Sequence, residues 1–344
     1  MLLRLLLVML IIAAGLAAFF GLPISKESAE SMREDEVLSE KIMADPQQKF
    51  PAREPPSQIV PPASESGEKA VDKQLKAIQE AVKNLEISIK SITPDSKSSP
   101  PQKQKFRLPQ AELHRIASQS VVNLLCQEEG GAIAIATGAL IHPAGYILTN
   151  AHIADNADKE QECAIRTGSP AKSFAIAKRV FTPSAFSATT SITEQIKWDI
   201  AIWKIEKPSG TTPLPETFEA LTLDLSHNFF PQEALATFSY PAELLSKEVI
   251  LSSLYLVFSE TAVEGIDEFF IQSLAGLGSQ QGSSGGALLD PVTGAFVGLI
   301  FAIDKETEIN KRRLFALRAS RIDEIVRQET GKTFADYLKS LEAN

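Results

Sequence analysis

From residue 121 onward the chain is a succession of short apolar runs, each broken by glycine or turn-forming residues before it is long enough for a helix. VVNLLC (121–126), AIAIATGALI (132–141), GYILTNAHI (145–153), ECAIRT (162–167), DIAIWKI (199–205), ALATFSY (234–240), FFIQSL (269–274) and GAFVGLIFAI (294–303) follow one another. Runs of this length and texture read as strands, so the pattern predicts an all-β domain over residues 111–330. Such a domain has room for two small barrels, divided near residue 215, with a cleft between them. Helical stretches are scarce until Arg321–Leu341, which reads as one or two terminal helices about Gly331. Ile322, Ile325 and Val326 fall on one side of it, as a helix docking on the second barrel requires, and residues 331–344 form a helical tail.

Composition removes several classes of function. Lys plus Arg total 34 against 43 for Asp plus Glu, a formal charge of -9, so no basic surface for nucleic acid is advertised. Two cysteines cannot build a disulfide-rich scaffold or a four-thiolate zinc site, and four scattered histidines do not make a metal cluster. Neither a metal nor an organic cofactor is expected.

The N-terminal part has a different texture. Leu2–Leu22 is almost wholly apolar, with Arg4 its only charge, and is about long enough to cross a bilayer core. Residues 1–24 are therefore expected to be a transmembrane signal-anchor with the rest of the chain exported, on the periplasmic or cell-surface side. Removal as a signal peptide, giving a secreted chain, is the competing reading. Residues 25–68 and 94–110 are rich in Pro, Ser, Glu, Lys and Gln and read as disordered linkers. Between them, over 69–93, Val71, Leu75, Ile78, Val82, Leu85, Ile89 and Ile92 form a heptad stripe. Its apolar seam predicts a short coiled-coil helix that pairs copies of the chain through residues 71–92, the competing reading being a helix packed on its own domain.

Three strings carry the chemistry. GYILTNAHIAD places His152 just beyond a strand, KWDIAIWKI places Asp199 at the start of another, and GSSGGALLD presents Ser284 in a glycine-rich turn. The order His, Asp, Ser is one of the convergent arrangements in which a histidine takes the serine proton and a buried carboxylate fixes its tautomer. With TNAH at 149–152, DIA at 199–201 and GSSGG at 282–286, the domain resembles the trypsin-like serine proteases, most closely the HtrA/Deg-type bacterial branch without a PDZ module. The resemblance implies a chymotrypsin-like double barrel, two six-stranded antiparallel β-barrels with a C-terminal helix. It also implies Ser284 as nucleophile, His152 as general base and acid, Asp199 as the orienting carboxylate, and the N–H groups of Gly282 and Ser284 as the oxyanion hole. Independently of it, Gly282 permits a tight turn that can aim N–H groups at a developing oxyanion, while Gly285 and Gly286 allow close backbone approach. His114, His142 and His227 have no such setting and default to surface or packing roles.

The chain departs from the family at Ser283, where digestive enzymes carry aspartate and HtrA-type enzymes usually asparagine. The activation switch in which a new N-terminus pairs with that aspartate has no acceptor here, leaving assembly or ligand-induced loop ordering as the family-like means of control. By the same resemblance Gly278, Val297, Gly298, Leu299, Ile300, Phe301 and Ala302 line the primary substrate pocket. None is acidic, which favours a small or medium apolar P1 residue over Lys or Arg; Leu299 and Phe301 also suit a barrel core. Cys126 and Cys163 lie in strand-like runs on either side of His152. If those strands are neighbours a disulfide braces the first barrel, and otherwise two buried thiols result. The Ser/Thr-rich stretch 182–195 reads as an exposed loop, either covering the cleft or a plain surface insertion.

These readings converge on a serine endopeptidase that hydrolyses peptide bonds of exported or misfolded proteins through an acyl-enzyme. The alternative is a catalytically silent protease-fold scaffold or peptide-binding protein at the membrane. An esterase of the common hydrolase fold is disfavoured, because the G-x-S-x-G elbow and α/β texture are lacking.

Overall fold

The computed structural model describes residues 107–127, 133–154, 162–276, 280–303 and 312–342. Helix α1 (Gln110–Ser120) leads into β1 (Val121–Gln127), β2 (Ile133–His142), β3 (Tyr146–Thr149), β4 (Glu162–Thr167) and β5 (Lys172–Phe181). Short helices α2 (Ser184–Ala188) and α3 (Ile192–Gln195) precede β6 (Ala201–Pro208). A long connection reaches β7 (Ala234–Ser239), followed by α4 (Lys247–Ser253), β8 (Val257–Ile266), β9 (Phe270–Leu274), β10 (Ala287–Leu289), β11 (Phe296–Ile303) and β12 (Arg313–Arg318). Helices α5 (Ala319–Thr330) and α6 (Phe334–Glu342) end the described chain.

The strands close into two antiparallel barrels, in the orders β1-β2-β3-β6-β5-β4 and β10-β11-β12-β9-β8-β7. Period-two alternation explains how each strand serves two cores. On β12, Leu314 and Ala316 join one buried cluster with Leu235, Val263 and Ile271, while Phe315 and Leu317 join another. That second cluster draws on both barrels, holding Leu148, Ile200 and Ile202 together with Phe238, Leu299 and Phe301. Ile322, Ile325 and Val326 of α5 enter it as well, each fully buried at about 1.5–3 kcal/mol per side chain. Helix α5 stops at Gly331, whose left-handed φ of 72° lets its N–H reach the Arg327 carbonyl at 2.9 Å.

Closure of the first barrel sets Cys126 of β1 directly opposite Cys163 of β4, and the two form a disulfide. A second link runs between barrels. Arg166 on β4 is 2% exposed, and its guanidinium donates to the carbonyls of Ala171 (2.8 Å), Ile250 (2.9 Å) and Leu251 (3.2 Å) and to Asn123 Oδ1 (3.4 Å). Ile250 and Leu251 lie in the last turn of α4, where a cation also meets the negative end of the helix. Around it, Ala171 N–H donates to Leu254 O (2.7 Å) and Leu256 N–H to Ser169 Oγ (2.9 Å), fastening the β4–β5 turn to the β7–β8 connection.

The expected membrane anchoring is corrected. The longest helix among the described residues, α5, has 12 residues, whereas a bilayer span needs about 20. Among the described residues no helix is long and apolar enough to cross a membrane. The run 1–24 assigned to a signal-anchor, the heptad stripe 69–93, and the linkers 25–68 and 94–106 lie outside the described residues. The membrane helix, the membrane as a partner and a membrane-anchored location are therefore withdrawn.

Candidate active site

His152 sits on the single 3-10 turn Ala151–Ala154 that follows β3 directly, and Asp199 closes the 3-10 turn Ile196–Trp198 just before β6. Strands β3 and β6 are neighbours, with Thr149 opposite Ala201, so the two turns leave the barrel side by side. The Asp199 carboxylate grips His152 at two points: Oδ1 accepts the His152 backbone N–H at 2.9 Å and Oδ2 lies 2.7 Å from ring Nδ1. The aspartate side chain is 5% exposed and the imidazole 27%. A carboxylate oxygen accepts, so Nδ1 carries the hydrogen in this contact. Asn150 Nδ2 donates to the Asp199 carbonyl at 2.9 Å and fixes the aspartate backbone from the β3 side.

Ser284 comes from the second barrel, in the turn that enters β10. Gly282 has φ 95°, and a Cβ there would meet the Tyr240 carbonyl at 2.8 Å. The turn is pinned from inside by Ser283, which is 1% exposed; its Oγ accepts the Gln280 N–H (2.9 Å) and the Ser239 hydroxyl (3.0 Å). Serine at this position thus supports the turn despite its short reach, because Ser239 on β7 comes up to meet it. Ser283 N–H donates to Gln280 O (2.9 Å), Gly285 N–H to Ile300 O (2.8 Å) and Gly286 N–H to Ser283 O (2.8 Å). Among the described residues no acceptor is bonded to the N–H groups of Gly282 and Ser284.

The Ser284 turn docks on the first barrel. Thr137 N–H donates to Ser284 O at 2.8 Å, and the Thr149 hydroxyl, three residues before His152, donates to Thr137 O at 2.7 Å. Tyr240, next to this junction, donates its hydroxyl to Gly168 O at 3.0 Å; burial raises the phenol's pKa, so it remains a protonated donor. His152 and Asp199 are thus in contact and the Ser284 turn is tied to their barrel, but no hydrogen bond from Ser284 to His152 is among the contacts of the described residues.

A small cavity of about 30 Å³ opens at the pair, lined by His152, Asp199, Phe186, Ile192, Gln195, Ile196 and Phe301. Of the expected pocket residues, Phe301 lines this cavity. Val297, Leu299 and Ile300 are no more than 1% exposed and belong to the buried clusters. Gly298 is buried in β11 with Leu317 O 3.1 Å from an ideal Cβ, and Ala302 pairs with Phe315 in the ladder. Gly278 lies outside the described residues. The stretch 182–195 folds as α2 and α3, with buried Phe186 against the cavity. Isolated apolar residues in that polar tract were the sequence signal for this wall. Thr137, Thr149 and Ser239 had none, since a hydroxyl residue inside a strand looks like any other.

Comparison with protein families agrees with the topology. Residues 136–299 match the family model described as a trypsin-like peptidase domain. No curated protein matches the chain. Among solved structures, the HL collagenase at 1.7 Å resolution is 16% identical, with 64% of this chain and 96% of that chain covered and a TM-score of 0.48. The HtrA-type protease AlgW with tripeptide is 19% identical, with 64% of each chain covered and a TM-score of 0.46. Two closed six-stranded barrels, a buried His–Asp pair and the matching family model together make this a trypsin-like serine-protease fold domain, a protease-like catalytic domain of the serine endopeptidase type.

Proposed function

We propose that the domain is an HtrA/Deg-like serine endopeptidase in which Ser284 is the nucleophile, His152 the general base and acid, and Asp199 the orienting carboxylate. The observation that carries this reading is the two-point grip of Asp199 on His152, through Nδ1 at 2.7 Å and the backbone N–H at 2.9 Å. In the first step Nε2 takes the Ser284 proton as Oγ bonds to the scissile carbonyl carbon, and the carbonyl electrons move onto oxygen. The N–H groups of Gly282 and Ser284 receive that oxyanion, at about 3 kcal/mol per donor. Collapse expels the amine, which takes the proton from the imidazolium, leaving an acyl-enzyme that water releases through the same base. The substrates are proteins or peptides, cut after a small or medium apolar residue; no acidic side chain lies among residues 297–302. The Cys126–Cys163 disulfide supports work in an oxidising, exported compartment.

A second reading keeps the fold and removes turnover, as a catalytically silent scaffold or peptide-binding protein. Two observations favour it: no Ser284–His152 hydrogen bond is among the described contacts, and Val297, Leu299 and Ile300 fill the core where a primary pocket was expected. Active-site geometry that tightens only on binding substrate accounts for the first of these under the protease reading. The test is covalent trapping of the full chain and of Ser284→Ala by a serine-directed phosphonate, read by intact mass beside casein digestion. Labelling confined to the parent, with digestion, supports the protease. A folded parent that neither labels nor digests supports the silent reading.

A further inference from the structure

The oxyanion turn has three consecutive peptide planes, and each is held by its carbonyl. The Gln281 carbonyl accepts Ala242 N–H at 2.8 Å, and the Ser283 carbonyl accepts Gly286 N–H at 2.8 Å. These two planes carry the N–H groups of Gly282 and Ser284, and both are anchored by backbone of the second barrel. The plane between them is held from both sides: its Ser283 N–H donates to Gln280 O at 2.9 Å within the second barrel, and its Gly282 carbonyl accepts the Thr137 hydroxyl at 2.8 Å, across the junction from β2 of the first barrel. Rotation of that middle plane would turn Gly282 and Ser283 about their own dihedrals and swing both flanking N–H groups out of convergence.

Thr137 is itself fully buried and over-determined. Its hydroxyl accepts Tyr240 N–H at 2.9 Å while donating to Gly282 O. Its N–H holds Ser284 O at 2.8 Å, and its carbonyl takes the Thr149 hydroxyl at 2.7 Å. The side chain therefore has one orientation available, with its proton directed at Gly282 O. We infer that the Thr137 hydroxyl is a positioning group of the first barrel that completes the hold on the oxyanion turn of the second, so that docking of the barrels fixes the convergence of the oxyanion donors. The inference rests on the proposed roles of Ser284 and Gly282.

Thr137→Val preserves shape and the backbone bond to Ser284 but leaves the Gly282 carbonyl and Tyr240 N–H without their partner; Thr137→Ser retains the hydroxyl. With peptide substrate, kcat of Thr137→Val is expected to fall about tenfold or more with KM unchanged, and phosphonate labelling to slow in parallel. Thr137→Ser is expected to restore both. Equal kcat and labelling in parent and Thr137→Val refute the inference while leaving the nucleophile assignment standing, and so does a loss in which KM rises and kcat holds. A folded parent chain that does not label refutes the assignment of Ser284 itself. If Thr137→Val does not fold, Thr137→Ala takes its place with the same two readouts and the same refuting results.

Discussion

Replacement of Gly285 by alanine tests how closely the Ser284 turn must approach the first barrel. An ideal Cβ at Gly285 lies 1.9 Å from Thr137 O, 2.2 Å from Thr149 Oγ1 and 2.9 Å from Thr137 C. Ordinary carbon–oxygen contact begins at about 3.3 Å, so the turn must retreat by more than about 1 Å. The obstacle is backbone of a closed barrel, which cannot swing aside as a side-chain tip would. A retreat of that size stretches the 2.8 Å bond from Thr137 N–H to Ser284 O beyond hydrogen-bonding range and carries Ser284 with it. The left-handed φ of 83° adds about 1–2 kcal/mol of strain for any side chain. A displacement of about 1 Å at a reacting group costs on the order of 10²-fold in rate, so kcat/KM for peptide hydrolysis and the phosphonate labelling rate should both fall by that order. Gly331→Ala is the control: φ is 72° but nothing lies within 4 Å, so it should lose about 1 kcal/mol of stability and no activity. A folded Gly285→Ala chain that labels as fast as Gly331→Ala would falsify the reasoning.

Asp199→Asn keeps the shape of the site but lets the amide donate, favouring the wrong imidazole tautomer. Its kcat should drop on the order of 10⁴, and retention of more than about a tenth of parental kcat would overturn the role given to the two-point contact. Joint replacement of Cys126 and Cys163 by alanine opens a closure spanning 37 residues and should lower the unfolding free energy by about 4 kcal/mol in a urea titration; an unchanged midpoint argues against the entropic account. His227 is hydrogen-bonded to Glu233 at 2.8 Å, lies near Asp224 and Asp290, and has its pKa raised above 6.5, first by the Glu233 bond. Its raised folded pKa means the stabilisation is complete below about 6.5 and is lost as pH rises through the folded value. The parent should therefore exceed His227→Gln in melting temperature by more at pH 5.5 than at pH 8.5, and the opposite ordering would refute a stabilising His227–Glu233 pair.

The legibility of the fold varied with how a strand divides its faces. Largely buried runs such as VVNLLC and DIAIWKI are read directly and become β1 and β6. Strand β8 hides because Glu260 and Glu264 interrupt it on the outer face, and β10 hides because only Ala287–Leu289 are in the ladder. Helix α1 was missed for another reason: it buries only Leu113, Ala117 and Ser120, too thin a stripe to stand out beside a proline-rich tract. At the site, the contact between His152 and Asp199 was legible because the strings around them are as constrained as they are. The hydroxyls around them were not, since their partners, main-chain groups for Thr137 and Thr149 and the Ser283 hydroxyl for Ser239, are brought close only by tertiary folding. On β11, Val297, Leu299 and Ile300 lie in the core while Phe301 faces the cavity, a division the run hides because a strand beside a cleft and a strand inside a barrel share one apolar texture.

The guanidinium of Arg166 shows what such main-chain partnerships permit. Three of its four acceptors are peptide carbonyls, of Ala171, Ile250 and Leu251. A carbonyl stays where the helix puts it whatever side chain its residue bears, so this joint between barrels is indifferent to the identity of residues on α4. Val249 and Leu251, at 38% and 47% exposure, are therefore positions where the sequence is free to drift, or where a fluorophore can be attached, while the two halves of the site keep their alignment.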